Sequence, residues 1–103
     1  MDRPTVLIVD DEPDIRELLS MTLEGMDVSP DTAEDLAEAR HKLQTEDFHF
    51  CLTDMRLPDG DGLELVQWMQ RNAPGVPVAV ITAHGNVESA VRALKLGAYD
   101  LVS

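Results

Sequence analysis

The stretch Val6-Leu7-Ile8-Val9-Asp10-Asp11 decides how the rest of the chain is read. Four apolar, β-prone residues give way without transition to two carboxylates. An uninterrupted apolar run of that length suits a parallel strand buried on both faces. The same shape recurs twice. Phe48 to Thr53 is apolar and β-prone and ends at Asp54, and Val78 to Ile81 ends at Thr82. Three strands of one kind, each closing on a polar residue, predict one sheet with a chemically active edge.

The segments between these runs carry helical spacing. Pro13 stands where a first helical turn tolerates proline. Ile15, Leu18, Leu19 and Leu23 follow at helical intervals, and Gly25 closes the helix. Val28 marks a weak second strand, shortened by Pro30. Asp35 is placed to cap a second helix through Leu36, Ala39, Arg40 and Leu43. Leu57-Pro58-Asp59-Gly60-Asp61-Gly62 is dense in turn residues. Leu63, Leu65, Val66 and Met69 give a third helix. Val87, Ala90, Val91 and Leu94 give a fourth, closed by Gly97, and Ala98 to Val102 begins a fifth strand. Strict alternation of strand and helix over short connections predicts an α/β fold, a doubly wound parallel sheet of five strands with helices on both faces. Ligands of such sheets bind beyond the carboxyl ends of the strands.

Composition narrows the function classes. With 103 residues and 44% hydrophobic content, the chain is sized for one domain with one modest core. No apolar run approaches the ~20 residues that span a bilayer, and Val6–Val9 is too short for a secretory signal, so a cytoplasmic protein is expected. One cysteine, Cys51, excludes an internal disulfide and a multi-cysteine metal site, and it reads as a small buried hydrophobe. Twenty acidic against eight basic residues leave a charge of −12, which argues against direct nucleic-acid binding by this domain.

The strand-end residues carry the chemistry. Asp10, Asp11, Asp54 and Thr82 are gathered at one sheet edge by the topology. Three carboxylates in a partly dry site repel one another unless a cation joins them, and hard oxygen donors with room for water suit Mg²⁺. A carboxylate beside Mg²⁺ can act as a nucleophile towards phosphorus. Each residue also has a plainer role available: Asp10 and Asp11 could cap the helix after them, and Thr82 the helix after it. The conjunction at three strand ends favours the site. Asp59 to Gly62 resembles a calcium loop only faintly, because Leu63 breaks the pattern. His41, His49 and His84 share no ligand spacing; a helix surface is expected for His41 and a strand flank for His49. Trp68 reads as core or interface filler.

At this point a family resemblance emerges. Val6 to Pro13, Leu52 to Gly62, Val80 to Gly85 and Gly97 to Asp100 together resemble response regulator receiver domains across essentially the whole chain, with most similarity to the NtrC-type group and, within it, to regulators of pilus genes. The resemblance implies a CheY-like, flavodoxin-like sheet of order 2-1-3-4-5. It implies that Asp54 accepts a phosphoryl group from a sensor histidine kinase. Asp11, Asp54 and the Arg56 backbone carbonyl would hold Mg²⁺, with Asp10 assisting through water. Thr82 would be the switch hydroxyl, and Arg56 and His84 would tune dephosphorylation. In full-length relatives an ATPase domain and a DNA-binding domain would follow.

Two departures from the family pattern stand out. The family's lysine after the fifth strand would fall just beyond Ser103, and its fifth helix is missing from residues 1–103. The switch aromatic of the fifth strand is replaced by Leu101, with Tyr99 two residues earlier on the same face. The open sheet face leads us to expect a truncated chain, homodimerisation or higher association, or reduced stability. The expected function is therefore a self-phosphorylating switch controlling transcription, and not a turnover enzyme. A phosphatase of the haloacid-dehalogenase type is the rival, but it requires Asp-x-Asp after the first strand, where this chain has Asp10-Asp11-Glu12. A receiver retained only as an interaction module is the second rival, opposed by the intact acidic triplet.

Overall fold

The computed structural model describes residues 3–81 and, for backbone alone, 100–102. Five parallel strands form the sheet: β1 (Thr5–Val9), β2 (Ser29–Ala33), β3 (Phe50–Asp54), β4 (Val78–Ile81) and β5 (Asp100–Val102). Their spatial order is β2-β1-β3-β4-β5, as the resemblance implied. The described helices are α1 (Pro13–Glu24), α2 (Leu36–Thr45) and α3 (Gly62–Asn72). The helix expected around 87–94 lies outside the described residues.

The apolar runs are uninterrupted because both faces of β1 and β3 are covered. Val6, Ile8, Phe50 and Leu52 point to one side, where Leu23 of α1 completes the core with Val28 and Ala79. Leu7, Val9 and Cys51 point to the other, against Leu36 and Ala39 of α2 and Leu65 and Met69 of α3. Alternation within each run thus feeds two cores, one per layer of helices.

Two local expectations are corrected. β2 runs from Ser29 through Pro30 to Ala33, later and longer than a strand centred on Val28 and cut by proline. It is an edge strand. The Ser29 N–H donates to the Pro4 carbonyl at 2.8 Å, so the N–H groups of odd-numbered residues face the sheet. Pro30 and Thr32 face outward, where proline loses no ladder bond and the Thr32 N–H is satisfied by the Asp31 carboxylate at 2.8 Å. On α1, Leu18 belongs to the helix but not to its buried stripe, being 58% exposed beside Met21 at 64%. Gly25 closes α1 with ordinary helical φ of −65°, and the left-handed residue is Asp27, at φ 59°.

Asp35 caps α2 as expected, accepting the Glu38 N–H at 2.8 Å. His41 is exposed on α2, and His49 precedes β3, its Nδ1 2.9 Å from the Thr5 nitrogen that donates to it. Cys51 is fully buried, and burial pushes its thiol pKa far up, which leaves it an inert core residue.

Candidate functional site

β1 and β3 are adjacent and parallel, with Val9 opposite Thr53, so their carboxyl ends emerge side by side. Asp10 and Asp11 follow β1, and Asp54 is the last residue of β3. Each of the three carboxylates offers an oxygen within 4.8 Å of the others. Asp10 is only 8% exposed, whereas Asp54 is half-buried and Asp11 exposed. The triplet is thus graded from a sunken acid to a solvent-facing one.

The plain capping role is not what these acids perform. The N-cap of α1 is Glu12, and no side chain caps that helix. Asp10 turns back on its own loop, Oδ1 accepting the Glu12 N–H at 2.9 Å. Asp54 Oδ1 accepts the Met55 N–H at 2.8 Å. Asp11 makes no hydrogen bond among the described residues and keeps its carboxylate available.

Electrostatics give the site its character. Burial, opposed by the Glu12 N–H bond and reinforced by the charges of Asp54, Asp11 and Glu12, raises the Asp10 pKa above the ordinary carboxylate range. A cavity that disfavours its own negative charge favours a cation. The donors are all oxygen and lie at one level, a set suited to a hard divalent ion. The three carboxylates Asp10, Asp11 and Asp54 therefore fit a hard divalent cation.

A cleft opens beside the triplet, lined by Asp11, Glu12, Asp54, Met55, Arg56, Leu57 and Pro58. Arg56 is exposed on its rim and pairs with Asp61 in a two-residue antiparallel ladder, Leu57 pairing with Gly60. That ladder is the ordered form of the predicted turn. Asp61 ends it by capping α3, accepting the Glu64 N–H at 2.9 Å. Gly62 follows where a Cβ would overlap the Asp54 carbonyl oxygen, and its N–H donates to the Met55 carbonyl at 2.7 Å.

Sequence reasoning missed two residues. Arg16 reaches back from α1, its Nη1 donating to the Asp10 carbonyl at 2.7 Å and pinning the β1–α1 loop. Asp59 bonds two backbone N–H groups of α2. Both contacts cross between elements, and no spacing rule reveals them. Thr82 and His84 lie outside the described residues, as do the side chains of β5, Leu101 included. Ile81, the residue before Thr82, is in register with Asp54.

Comparison with known proteins agrees with this geometry. A family model described as the response regulator receiver domain matches residues 6–103. The chain is 54% identical over 103 residues to the response regulator protein PilR of Pseudomonas aeruginosa, covering all of this chain and 23% of that protein. It therefore spans about a quarter of the length of that relative. Among solved structures, the beryllofluoride-activated NtrC4 receiver domain dimer is 43% identical, with a TM-score of 0.74, covering 94% of this chain and 81% of that one. A CheY-like receiver domain protein from Methanospirillum hungatei JF-1 is 29% identical with a TM-score of 0.80, covering 98% and 81%. With parallel strand order, acidic triplet and relatives in agreement, the chain belongs to the response regulator receiver domain family, among receivers of the NtrC type.

Proposed function

We propose that this domain, residues 1–103, is a phosphoryl-accepting switch in which Asp54 takes the group from a sensor histidine kinase. The observation that carries the proposal is the meeting of Asp10, Asp11 and Asp54 within 4.8 Å at the carboxyl edge of the sheet. In the reaction, an Asp54 carboxylate oxygen attacks phosphorus from the side opposite the leaving group. The new O–P bond forms an acyl phosphate as the bond to the donor's histidine nitrogen breaks, and its electron pair leaves on that nitrogen. The Met55 N–H fixes one Asp54 oxygen and leaves the other for attack.

Mg²⁺ would be held by the Asp11 and Asp54 carboxylates and the Arg56 backbone carbonyl, with Asp10 acting through water. When bound, it offsets charge on the transferring group. Thr82 follows the residue in register with Asp54, which supports its role as the hydroxyl that senses the phosphoryl oxygens. Arg56 and His84 tune dephosphorylation, and Leu101 stands where the family often has a switch aromatic. The domain works in the cytoplasm and associates with a second copy, a reading supported by the NtrC4 receiver being described as a dimer. Because the chain covers 23% of its PilR relative, ATPase and DNA-binding domains are proposed for the full-length protein, with transcription as the output.

The test is incubation with Mg²⁺ and acetyl phosphate, with the adduct located by mass spectrometry. One phosphoryl group on Asp54, absent from Asp54→Ala and absent when Mg²⁺ is chelated, is the expected result. Turnover of phosphate esters without a lasting adduct would instead indicate a phosphatase. No adduct on a folded chain extended beyond Ser103 would leave only an interaction module.

A further inference from the structure

Asp59 is the residue of the site's neighbourhood that the proposed phosphoryl chemistry leaves unexplained. It sits at the tip of the Arg56–Asp61 ladder, 22 and 23 positions from its partners in sequence. Its two carboxylate oxygens divide the first free donors of α2: Oδ1 accepts the Leu36 N–H at 2.9 Å and Oδ2 the Ala37 N–H at 3.1 Å. Asp35, the helix's own cap, takes the next, from Glu38. Of these three donors, two are satisfied by a residue from the loop that borders Asp54 and one from within.

The contact is close as well as polar. Gly60 adopts φ 155°, and a Cβ there would press on Leu36 Cδ1 and the Glu64 carboxylate. Arg40, one turn along α2, adds a favourable positive charge to Asp59. Leu57, on the other side of the turn, is buried in the core that α2 and α3 share. A two-residue antiparallel ladder has little stability of its own. Its position comes from these anchors together with the Gly62–Met55 bond and the Asp61 cap, and its first residue is Arg56.

We infer that Asp59 is a positioning residue for the site: it latches the loop bearing the Arg56 carbonyl to the start of α2, and so steadies the segment that lines the cleft with Asp11 and Asp54. This rests on the proposed Mg²⁺ site, with the Arg56 carbonyl as one of its ligands. Asp59 touches neither the ion nor the phosphoryl group, and acts through the loop. A carboxylate supplies two acceptors for two N–H groups. Alanine supplies none, and asparagine one carbonyl oxygen without charge.

The experiment compares wild type, Asp59→Ala and Asp59→Asn. Mg²⁺ affinity is measured by titration calorimetry without phosphodonor, and exchange of the Leu36 and Ala37 amides by hydrogen–deuterium NMR. Asp59→Ala is expected to weaken Mg²⁺ roughly 10-fold, the scale seen when a partner that orients a ligand is lost. Both amides should exchange several-fold faster, and Asp59→Asn should recover part of each effect. If the amides exchange faster while Mg²⁺ affinity stays within about twofold of wild type, Asp59 is a helix cap only and the inference fails. Should Asp59→Ala not fold, Asp59→Asn is judged by the same two readouts and the same twofold limit. If wild type itself binds no Mg²⁺, the metal reading has failed first, and the inference falls with it.

Discussion

Asp10 bears the largest electrostatic burden of the triplet, because it is the most buried and faces two other acids. Its raised pKa has a definite consequence for stability. The folded state holds the Asp10 proton more tightly than the unfolded chain does. Its stabilising contribution is present below the unfolded pKa and is lost as pH rises through the folded pKa. At neutral pH without metal, the carboxylate is therefore a net cost. Asp10→Asn keeps an oxygen for the Glu12 N–H while removing the charge. It should raise the metal-free melting midpoint by roughly 5 °C near neutral pH, with the gain vanishing in acid. Calorimetric melts over a pH series check this, and a midpoint lowered at neutral pH would refute it. Asp59 shows the opposite sign. Hydrogen bonding from the Leu36 N–H, then from Ala37, lowers its pKa despite some desolvation. Its contribution is present above the unfolded pKa and is lost as pH falls through the folded one.

At the scale of elements, the connection from β3 to α3 is the tightest part of the site. Its two ends are tied by the bond from the Gly62 N–H to the Met55 carbonyl, and Gly62 leaves no room for a side chain against Asp54. Gly62→Ala must displace the last residue of β3 or the first turn of α3. A loss of about 3 kcal/mol is expected from this forced overlap, measured by urea unfolding. A variant within about 0.5 kcal/mol of wild type would show that the connection yields easily. The three acidic residues of this connection and its neighbour are assigned by structure to different tasks. Asp54 belongs to the triplet, Asp59 bonds α2 and Asp61 caps α3. The resemblance to a calcium loop is void for that reason: its carboxylates are already spent on helix termini.

For the whole molecule, the two cores on either side of the sheet make the strand ends a rigid platform. A cation that binds only the assembled platform stabilises the fold by mass action. Saturating Mg²⁺, at roughly 100 times its dissociation constant, should add about 2.7 kcal/mol. The gain should disappear in Asp11→Ala, whose side chain is exposed and makes no hydrogen bond among the described residues, so that its removal spares the fold. Differential scanning calorimetry with and without the ion checks both. An equal gain in Asp11→Ala would place the ion elsewhere.

By itself, the sequence determined the strand–helix alternation, the burial of β1 and β3 on both faces, and the three acids at strand ends. Hydrophobic periodicity and abrupt apolar-to-acidic boundaries are local properties, and they survive being read without coordinates. The order of the strands came through family resemblance. Only the tertiary structure decided that Pro30 lies inside β2, that Leu18 faces outward, that Arg16 bonds the loop after β1, and that Asp59, in the loop after β3, bonds α2. The reason is physical: edge position, which side of a helix meets the sheet, and hydrogen bonds between residues 22 or 23 apart depend on how elements pack. Spacing along the chain does not encode that packing.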